Sequence, residues 1–405
     1  MAYSASSPLP PVRHDITAYE FVPGMVALYD DSFYAPNTLR LPTDVVEFLE
    51  LLDGERSAEF MAMQAARAGV AFSTEDFLEV VETLDREYFL QSPRFEAFRA
   101  ESDRAFNALT SRPAAHAGIS YPNDPAELRA MFDSFLAADR DSSANRRPPV
   151  AVVAPHIDFR VGGESYGPAY NALRHSDADT FVIFGTSHRV NRDTFMISRL
   201  DFETPLGMMP TDREFIDHFR ANLPFQLTRD ETPHRREHSI EFQAVFLRHI
   251  FPDRDIKIVP ILTGSLHEYV EFANGNAGND QRLNTLYGTL ERTAEELGRR
   301  VCYIAGADLC HIGRKFGDEF DARSILEEVR EFDYQVLEQA ARPDADGFLK
   351  VLTGVRNRYR VCGVAPIYAT LRSAKPATGE VLCYAQWDES ERDSAVTFAS
   401  LAFYK

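Results

Sequence analysis

The sequence predicts a layered α/β domain at residues 110–405, preceded by a small, mainly helical, winged-helix-like domain at residues 1–105. Apolar, β-branched runs alternate with helical stretches from about residue 110 onward, which is typical of α/β layers. Residues 1–105 instead show apolar residues at helical spacing, without long β-rich runs. The 405 residues, 44% of them hydrophobic, suffice for two or three domains with cores of their own.

Three short helices are predicted in the N-terminal part. The first helix ends at Asp53-Gly54, a helix-stop signal. The third begins after Ser73, whose side chain is the predicted N-cap. The aromatic run at 87–92 is predicted to be strand-like and to close a winged helix. The predicted buried face of the third helix comprises Phe77, Val80, Val81, Leu84 and Tyr88. The residues that repeat at helical spacing in the first two are Val45, Phe48, Leu49 and Leu52, then Phe60, Met63 and Ala66.

Apolar runs predict the strands of the second domain, and helices are expected at 166–175, 211–221 and 239–250. The polar stretch 137–150 is predicted to be a surface loop. In open α/β sheets the reactive crevice lies outside the carboxyl ends of the strands. The runs are VAVVAPH, FVIFGTSH, TFMISRL, IKIVPILTG, VCYIAGAD, VLCYAQW and AVTFASLAFY.

Composition excludes several classes of partner. The formal net charge of −19 argues against nonspecific binding of DNA, RNA or anionic lipid. No run approaches the roughly 18–20 apolar residues that span a bilayer, and the first residues show no signal-peptide pattern, so a cytoplasmic protein is expected. Four cysteines in so long a chain do not form a disulfide scaffold.

Polar side chains with metal-binding or acid–base chemistry stand at the ends of the predicted strands. His156 follows the first strand, and His188 follows the second. Alone, such a histidine is usually a hydrogen-bonded structural residue, and a lone cysteine is usually core. Together they favour a site for iron, copper or zinc, because imidazole and thiolate suit these metals and not magnesium or calcium. The further members of the group are His238, Asp308, His311 and Cys362.

The second domain resembles the Memo family, the B component of a bacterial grouping with a radical SAM protein and an AMMECR-type protein. The match covers residues 112–405, in order and at similar spacing. It begins with RPAAHAGISYPNDPAELRAMF and continues through PHIDFRVGGESYGPAY, FGTSH, ETPLG, EHSIEFQAVFL, IVPILTG, GADLCHIG and CGVAPI.

This resemblance implies a fold similar to the catalytic subunit of class III extradiol dioxygenases, which use Fe(II). It implies that His156, His188 and Cys362 bind the metal, with Fe(II) favoured over copper and zinc third. It places His238, Asp308 and His311 in the same pocket. The two histidines are expected to serve as general acid and base. The radical SAM and AMMECR-type proteins are the expected partners.

The sequence departs from the family pattern at several positions, so the substrates of relatives are not transferred to this chain. Ile157-Asp158 replace Ala-Gly after the first histidine. Asp158 is thus an extra carboxylate that could bind metal, take a proton or select a cationic ligand. Thr186, Gly306-Ala307 and Val364 replace proline, serines and arginine that are common in the family.

The N-terminal part resembles PqqD-like modules, which bind leader peptides. The matching pieces are Leu41-Pro42, 51–54, Leu84-Asp85 and Phe89-Leu90. Peptide binding is the expectation that follows, and a helical appendage that only covers the larger domain is the alternative.

Three functions remain open from sequence. The leading hypothesis is a redox enzyme with a non-haem metal centre. The alternative is a non-catalytic scaffold that binds a peptide or protein on a former dioxygenase fold. A zinc hydrolase is the third reading.

Overall fold

The computed structural model describes residues 3–30, 32–139, 147–188, 193–271 and 277–405. The middle of the predicted surface loop, residues 140–146, lies outside the described residues. The chain divides into two compact units, Met1–Ala108 and Leu109–Lys405.

The smaller unit contains an antiparallel three-stranded sheet in the order β1-β2-β3, followed by four helices. The expectation of short helices and turns without long β-rich runs missed this sheet. Strand β1 was missed because its side chains are largely exposed, with Tyr19 at 50% and Val22 at 46%, so they show no buried face. The elements are β1 (Ile16–Val22), β2 (Met25–Asp30), β3 (Leu39–Pro42), α1 (Thr43–Leu49), α2 (Ala58–Arg67), α3 (Thr74–Arg86) and α4 (Pro93–Asn107).

Local signals explain where these helices begin and which face they bury. The predicted N-cap Ser73 is confirmed, and with Asp76 it forms a capping box at the start of α3. The helix predicted from the spacing of Phe60, Met63 and Ala66 is present as α2, but these residues do not form its buried face. Met61 and Ala65 are fully buried, whereas Met63 is 42% exposed, because the apolar stripe follows the i, i+4 spacing from Met61.

The aromatic run at 87–92 is not a strand. Leu90 forms a single isolated bridge with Val12, and Tyr88 has the left-handed φ of 67°. Phe89 and Leu90 are fully buried in the core of the smaller unit. Their apolar character therefore reflects packing in a turn after α3.

The larger unit contains an eight-stranded mixed sheet and helices on both of its faces. All seven predicted strands and the three predicted helices are present. Its strands are β4 (Ser111–Arg112), β5 (Ala151–Ala154), β6 (Thr180–Thr186), β7 (Phe195–Ile197), β8 (Asp201–Phe202), β9 (Lys257–Thr263), β10 (Val301–Gly306), β11 (His311–Gly313), β12 (Thr378–Glu389) and β13 (Ser394–Tyr404). Its helices are α5 (Pro125–Ala138), α6 (Phe159–Gly162), α7 (Gly167–Leu173), α8 (Arg213–Ala221), α9 (His238–Ile250), α10 (His267–Val270), α11 (Gln281–Glu296), α12 (Leu326–Ala341), α13 (Ala345–Gly354) and α14 (Val364–Ala374).

The centre of this sheet is parallel. Its order is β11-β13-β5-β10-β6-β9-β7, with β12 paired to β13, while β4 and β8 form a separate pair. Strands β5, β10, β6 and β9 run in the same direction. Their carboxyl ends therefore lie along one edge of the sheet, where ligands bind in folds of this kind.

Successive residues of the central strands point to opposite faces of the sheet, and both faces are buried. In β5, Val152 packs in the core that contains residues of α5, α7 and α9. Val153 packs in the core that contains residues of α8 and α11 to α14. The predicted layered α/β architecture is thus confirmed. Within the described ranges, no helix is long and apolar enough to cross a membrane.

Candidate metal centre

Three neighbouring strands deliver polar side chains to the same point. His156, Asp308 and His188 each stand two residues after the end of β5, β10 and β6 respectively. Strand β10 lies between the other two strands, so Asp308 is delivered between the two histidines. The positions predicted from the sequence as strand ends are therefore brought together by the parallel pairing.

A third histidine joins them from the first residue of α9. The ligand nitrogens of His156, His188 and His238 lie within 4.8 Å of one another. Their ring centroids are separated by 4.9 Å for His156–His188, 5.3 Å for His156–His238 and 4.6 Å for His188–His238. The structure thus places His238, predicted to be an acid–base residue, beside the two histidines predicted to be ligands.

Hydrogen bonds orient the rings and determine their protonated nitrogens. His156 Nδ1 lies 2.9 Å from the carbonyl oxygen of Gly306. His188 Nδ1 lies 3.0 Å from Oε1 of Glu237, and His238 Nδ1 lies 3.3 Å from the same oxygen. The oxygens that accept from His156 and His188 cannot donate, so Nδ1 of these two rings carries the proton and Nε2 keeps its lone pair. An imidazole held in this way is the usual form of a metal-binding histidine. The contact of His238 with Glu237 is at ion-pair distance.

Glu237 is a functional residue that the sequence reasoning missed. It is the N-cap of α9, where its carboxylate accepts from the Ser239 amide at 3.0 Å. The same carboxylate accepts from the His188 amide at 3.0 Å. One side chain thus connects the helix start to the end of β6. The sequence offered one indication of this role. Glu237 directly precedes His238 at the start of a predicted helix, and a carboxylate is favourable at a helix N-terminus.

Cys362 and Asp308 complete the group around His156. Cys362 Sγ lies 3.4 Å from His156 Nε2, and Asp308 Oδ2 lies 3.6 Å from the same nitrogen. Oδ1 of Asp308 accepts from the amides of His156 at 2.9 Å and Ile157 at 3.2 Å. Asp308 therefore holds the loop after β5 and keeps its second oxygen toward the imidazole.

These separations fit the donor set of a transition metal. Ligand distances of about 2.0–2.1 Å for nitrogen and 2.3 Å for sulfur put two donors on a tetrahedral ion roughly 3.5 Å apart. The Cys362–His156 and Asp308–His156 separations of 3.4 and 3.6 Å match that value. The imidazole of His156 is thus at a suitable distance to bind the same ion as the sulfur of Cys362 or the carboxylate of Asp308.

Burial and neighbouring charge keep two of the imidazoles neutral. Burial, and then the nearby His188, lower the pKa of His156 to about 3 and the pKa of His238 well below its usual value. Burial also acts to lower the pKa of His188, but the Glu237 carboxylate raises it overall. Neutral imidazole is the protonation state that binds metal.

His311 lies at the start of β11, on the edge of the same group. Its Nδ1 lies 3.1 Å from the Leu309 carbonyl, and its ring packs against Phe316. Burial lowers the pKa of His311 to about 4 and raises that of Asp308 to about 6. Burial, followed by the nearby Asp308, also raises the pKa of the Cys362 thiol well above its ordinary value.

Asp158 has a local structural role. Its Oδ1 accepts from the Arg160 amide at 2.9 Å and so caps α6. Its carboxylate also pairs with the Arg160 guanidinium at 2.8 and 2.7 Å. Asp158 does not belong to the three-histidine group. Helix capping, a role that was not expected from the sequence, is the one that these contacts support.

A buried ionic network also supports the start of α9. Glu241 accepts from Arg112 Nη1 at 2.6 Å, from the Tyr121 hydroxyl at 2.5 Å and from the His116 amide at 2.8 Å. The His116 ring lies 5.7 Å from the His238 ring. Arg112 and Glu241 lie within the family motifs, but the sequence alone does not show that the two side chains form a buried ion pair.

Fold and site together define a layered α/β protein with a candidate three-histidine metal site at the carboxyl edge of its sheet. A family model described as Memo-like protein matches residues 112–402. The chain belongs to this family, as the sequence motifs predicted.

Similar proteins in bacteria and archaea carry the name MEMO1 family protein. The relative from Aquifex aeolicus is 27% identical over 366 residues, covering 89% of this chain and 91% of the relative. The relative from Thermus thermophilus is 25% identical, covering 86% of this chain and 99% of the relative. The relative from Pyrococcus furiosus is 30% identical, covering 73% and 99%. The first two alignments exceed the larger unit, so they include part of the smaller one.

Proposed function

We propose that the larger unit is a redox enzyme that binds one transition-metal ion through His156, His188 and His238. Cys362 and Asp308 stand close enough to join the donor set. The observation that carries this proposal is the convergence of one ring nitrogen from each of three histidines within 4.8 Å. Two of these rings have Nδ1 hydrogen-bonded to an oxygen that only accepts.

Fe(II) is the first choice of metal, copper the second and zinc the third. Imidazole suits all three metals, and the thiol of Cys362 adds a soft donor that favours iron, copper or zinc over magnesium. When bound, an iron or copper ion would supply Lewis-acid and one-electron chemistry.

The chain's own residues would position this centre and move protons beside it. Glu237 fixes the orientation of His188 and His238 through its single carboxylate. His311 anchors Nδ1 on the Leu309 carbonyl, which leaves Nε2 as a proton acceptor. Asp308 holds the backbone of His156 and would keep the loop after β5 in place.

Metal analysis of protein purified without oxygen tests the proposal. We expect near-stoichiometric iron or copper in the wild type and its loss in His156→Ala, His188→Ala and His238→Ala. Asp158→Asn is the matched control, because its carboxylate serves α6 and Arg160, and it should retain the metal. A wild type without metal after reconstitution would overturn the proposal.

The choice between redox enzyme and zinc hydrolase needs a second measurement. Oxygen uptake by the Fe(II)-loaded protein across a panel of small phenols, diols and thiols, with an inactive Zn(II) form, would support the redox reading. Ester or amide hydrolysis by the Zn(II) form alone would support the hydrolase. The radical SAM and AMMECR-type partners are tested separately, by co-purification of the three proteins.

The smaller unit favours a second function, peptide binding. A cavity of about 280 Å³ lies between β3 and α3, lined by Leu39, Leu41, Phe72 and Val80 and carrying the carboxylate of Glu79. Strand β3 is an edge of its sheet. An extended peptide can add to such an edge, with alternate side chains in the cavity. We propose that this groove takes a segment with apolar and basic residues.

Fluorescence anisotropy with a labelled peptide of alternating leucine and lysine tests this function. Val80→Asp should weaken binding, and Leu109→Asp, on an exposed residue outside the groove, should not. Deleting residues 1–108 should abolish peptide binding and leave the metal content unchanged, which would separate the two roles. Unchanged anisotropy in Val80→Asp would exclude the groove.

A further inference from the structure

A cavity of about 240 Å³ adjoins the candidate metal centre, and His188 and Cys362 form part of its wall. This volume lies below the roughly 300–1,000 Å³ of pockets that take drug-sized ligands. We infer that the cavity admits a small ligand that meets the proposed metal with a polar head and fills the remaining space with an uncharged, apolar body. The inference rests on the proposed function and names the substrate class of the same site.

The wall away from the metal donors is mostly aliphatic. It comprises Leu266 and Val270, together with Val361, Val364 and Ala365 around the start of α14. Leu266, Val270, Val361 and Val364 are at most 5% exposed, so this part of the wall belongs to the apolar core. Apolar walls of this kind favour a hydrocarbon part of a ligand by removing its surface from water.

Away from the candidate metal donors, the described residues that line the cavity offer no free charge to a ligand. Arg360 is the cationic side chain among the described residues that line it. Both of its terminal nitrogens donate to Asp318, at 2.9 and 2.6 Å, and Nη1 also lies 3.3 Å from the His311 carbonyl. Asp318 thus neutralises the guanidinium, as in other bidentate pairs.

Nor does a carboxylate line the cavity within the described part of the chain. The hydroxyl groups of Thr186 and Thr263 donate to the carbonyls of Cys362 and Gly185. Asn357 Oδ1 accepts from the Val361 amide at 3.0 Å. A charged group on the ligand body would therefore lose its water without finding a counter-charge, which is strongly unfavourable.

Three aromatic hydroxamates with the same metal-binding head test the inference. Benzohydroxamate has an uncharged ring, para-carboxybenzohydroxamate an anionic one and para-aminomethylbenzohydroxamate a cationic one. Calorimetric titration of Fe(II)-loaded protein without oxygen, with iron measured in the same samples, gives their affinities. We expect benzohydroxamate to bind at least roughly tenfold more tightly than either charged compound.

Two variants that add positive charge sharpen the test. Val364→Arg puts a guanidinium in the aliphatic wall, and Asp318→Asn frees the existing charge of Arg360. Both should improve the affinity for the carboxylate compound relative to benzohydroxamate. Asp318→Asn keeps the size of the side chain, so it remains informative if Val364→Arg does not fold.

The outcomes separate the two proposals. Iron in the protein, with equal or tighter binding of a charged compound by the wild type, would overturn the inference and leave the metal centre standing. Absence of any bound metal after reconstitution with iron or copper would overturn both. Three results together would support the inference: iron in the protein, tightest binding of benzohydroxamate by the wild type, and a relative gain in affinity for the carboxylate compound in Asp318→Asn.

Discussion

At the scale of single residues, Glu237 links two candidate ligands through one carboxylate. Replacing it by glutamine removes the negative charge and gives one of its two acceptor positions to an amide donor. We expect Glu237→Gln to weaken metal binding by roughly 10–100-fold, the usual effect of losing a partner that orients a ligating histidine. Competition with a chromophoric chelator measures this affinity.

Glu203→Gln is the control for that substitution, because Glu203 binds the Ser111 hydroxyl away from the histidines. Equal affinity in both variants would mean that Glu237 only caps α9. A residue that only caps the helix would change the free energy of unfolding, by about 1 kcal/mol, and not the metal affinity.

Asp333 provides a pH test away from the candidate metal centre. Burial raises the pKa of this carboxyl from 3.8 to about 6, although Cys310 and Tyr384 donate to it at 3.1 and 2.8 Å. A raised pKa means that the folded state holds the proton more tightly than the unfolded state. The contribution to stability is therefore fully present below pH 3.8 and is lost as the pH rises through about 6.

Asp333→Asn should consequently be more stable than the wild type near pH 8 and lose this advantage near pH 4. The raised pKa corresponds to a gain in the free energy of unfolding of the order of 3 kcal/mol near pH 8. Imperfect hydrogen bonding of the new amide would reduce this gain by about 1 kcal/mol. Urea unfolding at the two pH values measures it. A variant that is destabilised equally at both would show that the carboxyl is ionised in the fold.

The candidate site residues that directly follow an apolar strand could be predicted from the sequence. His156 and His188 stand at visible ends of apolar runs, so parallel pairing alone brings them together. The family motifs indicated Cys362 and Asp308. Glu237 was not predictable in this way, because a carboxylate before a helix fits an ordinary N-cap equally well, and only the fold brings His188 to it.

At the scale of elements, two glycines let α9 approach the sheet. A Cβ added at Gly306, the last residue of β10, would lie 2.4 Å from the Ser239 carbonyl oxygen. At Gly185, in β6, it would lie 2.6 Å from the Ser239 hydroxyl. The first turn of α9 therefore lies against backbone, and this contact positions His238.

Gly306→Ala should displace that turn, because a backbone atom cannot yield as a flexible side chain does. We expect a loss of about 1–3 kcal/mol in stability, typical of overpacking, and weaker metal binding. Gly354→Ala is the matched control, since an added Cβ there meets nothing within 4 Å. Unchanged metal affinity in Gly306→Ala would show that the position of His238 does not depend on this contact.

Prediction of elements succeeded for buried strands and failed for exposed ones. The strands β5, β6 and β9 are buried on both faces and read as continuous apolar runs. Strand β1 mixes polar and exposed apolar residues, so its sequence carries no periodic signal. This strand is instead stabilised by its antiparallel pairing with β2, which the local sequence does not show.

At the scale of the whole molecule, the three hydrophobic cores divide between the two units. The core that contains Phe77 lies wholly within the smaller unit. The core that contains Phe184 lies within the larger unit, on the strand that leads to His188. Every donor of the candidate metal centre also lies in the larger unit.

Truncating either phenylalanine should lower the free energy of unfolding of its own unit by about 3–5 kcal/mol. Only the truncation in the larger unit should also lower the metal content. Phe77→Ala should make the smaller unit sensitive to limited proteolysis and leave the metal content near the wild-type value. Phe184→Ala should lower both the stability of the larger unit and its metal content, because β6 positions His188. Metal loss in Phe77→Ala would instead mean that the centre depends on the smaller unit, so proteolysis and metal analysis of both variants decide whether the two proposed functions are separable.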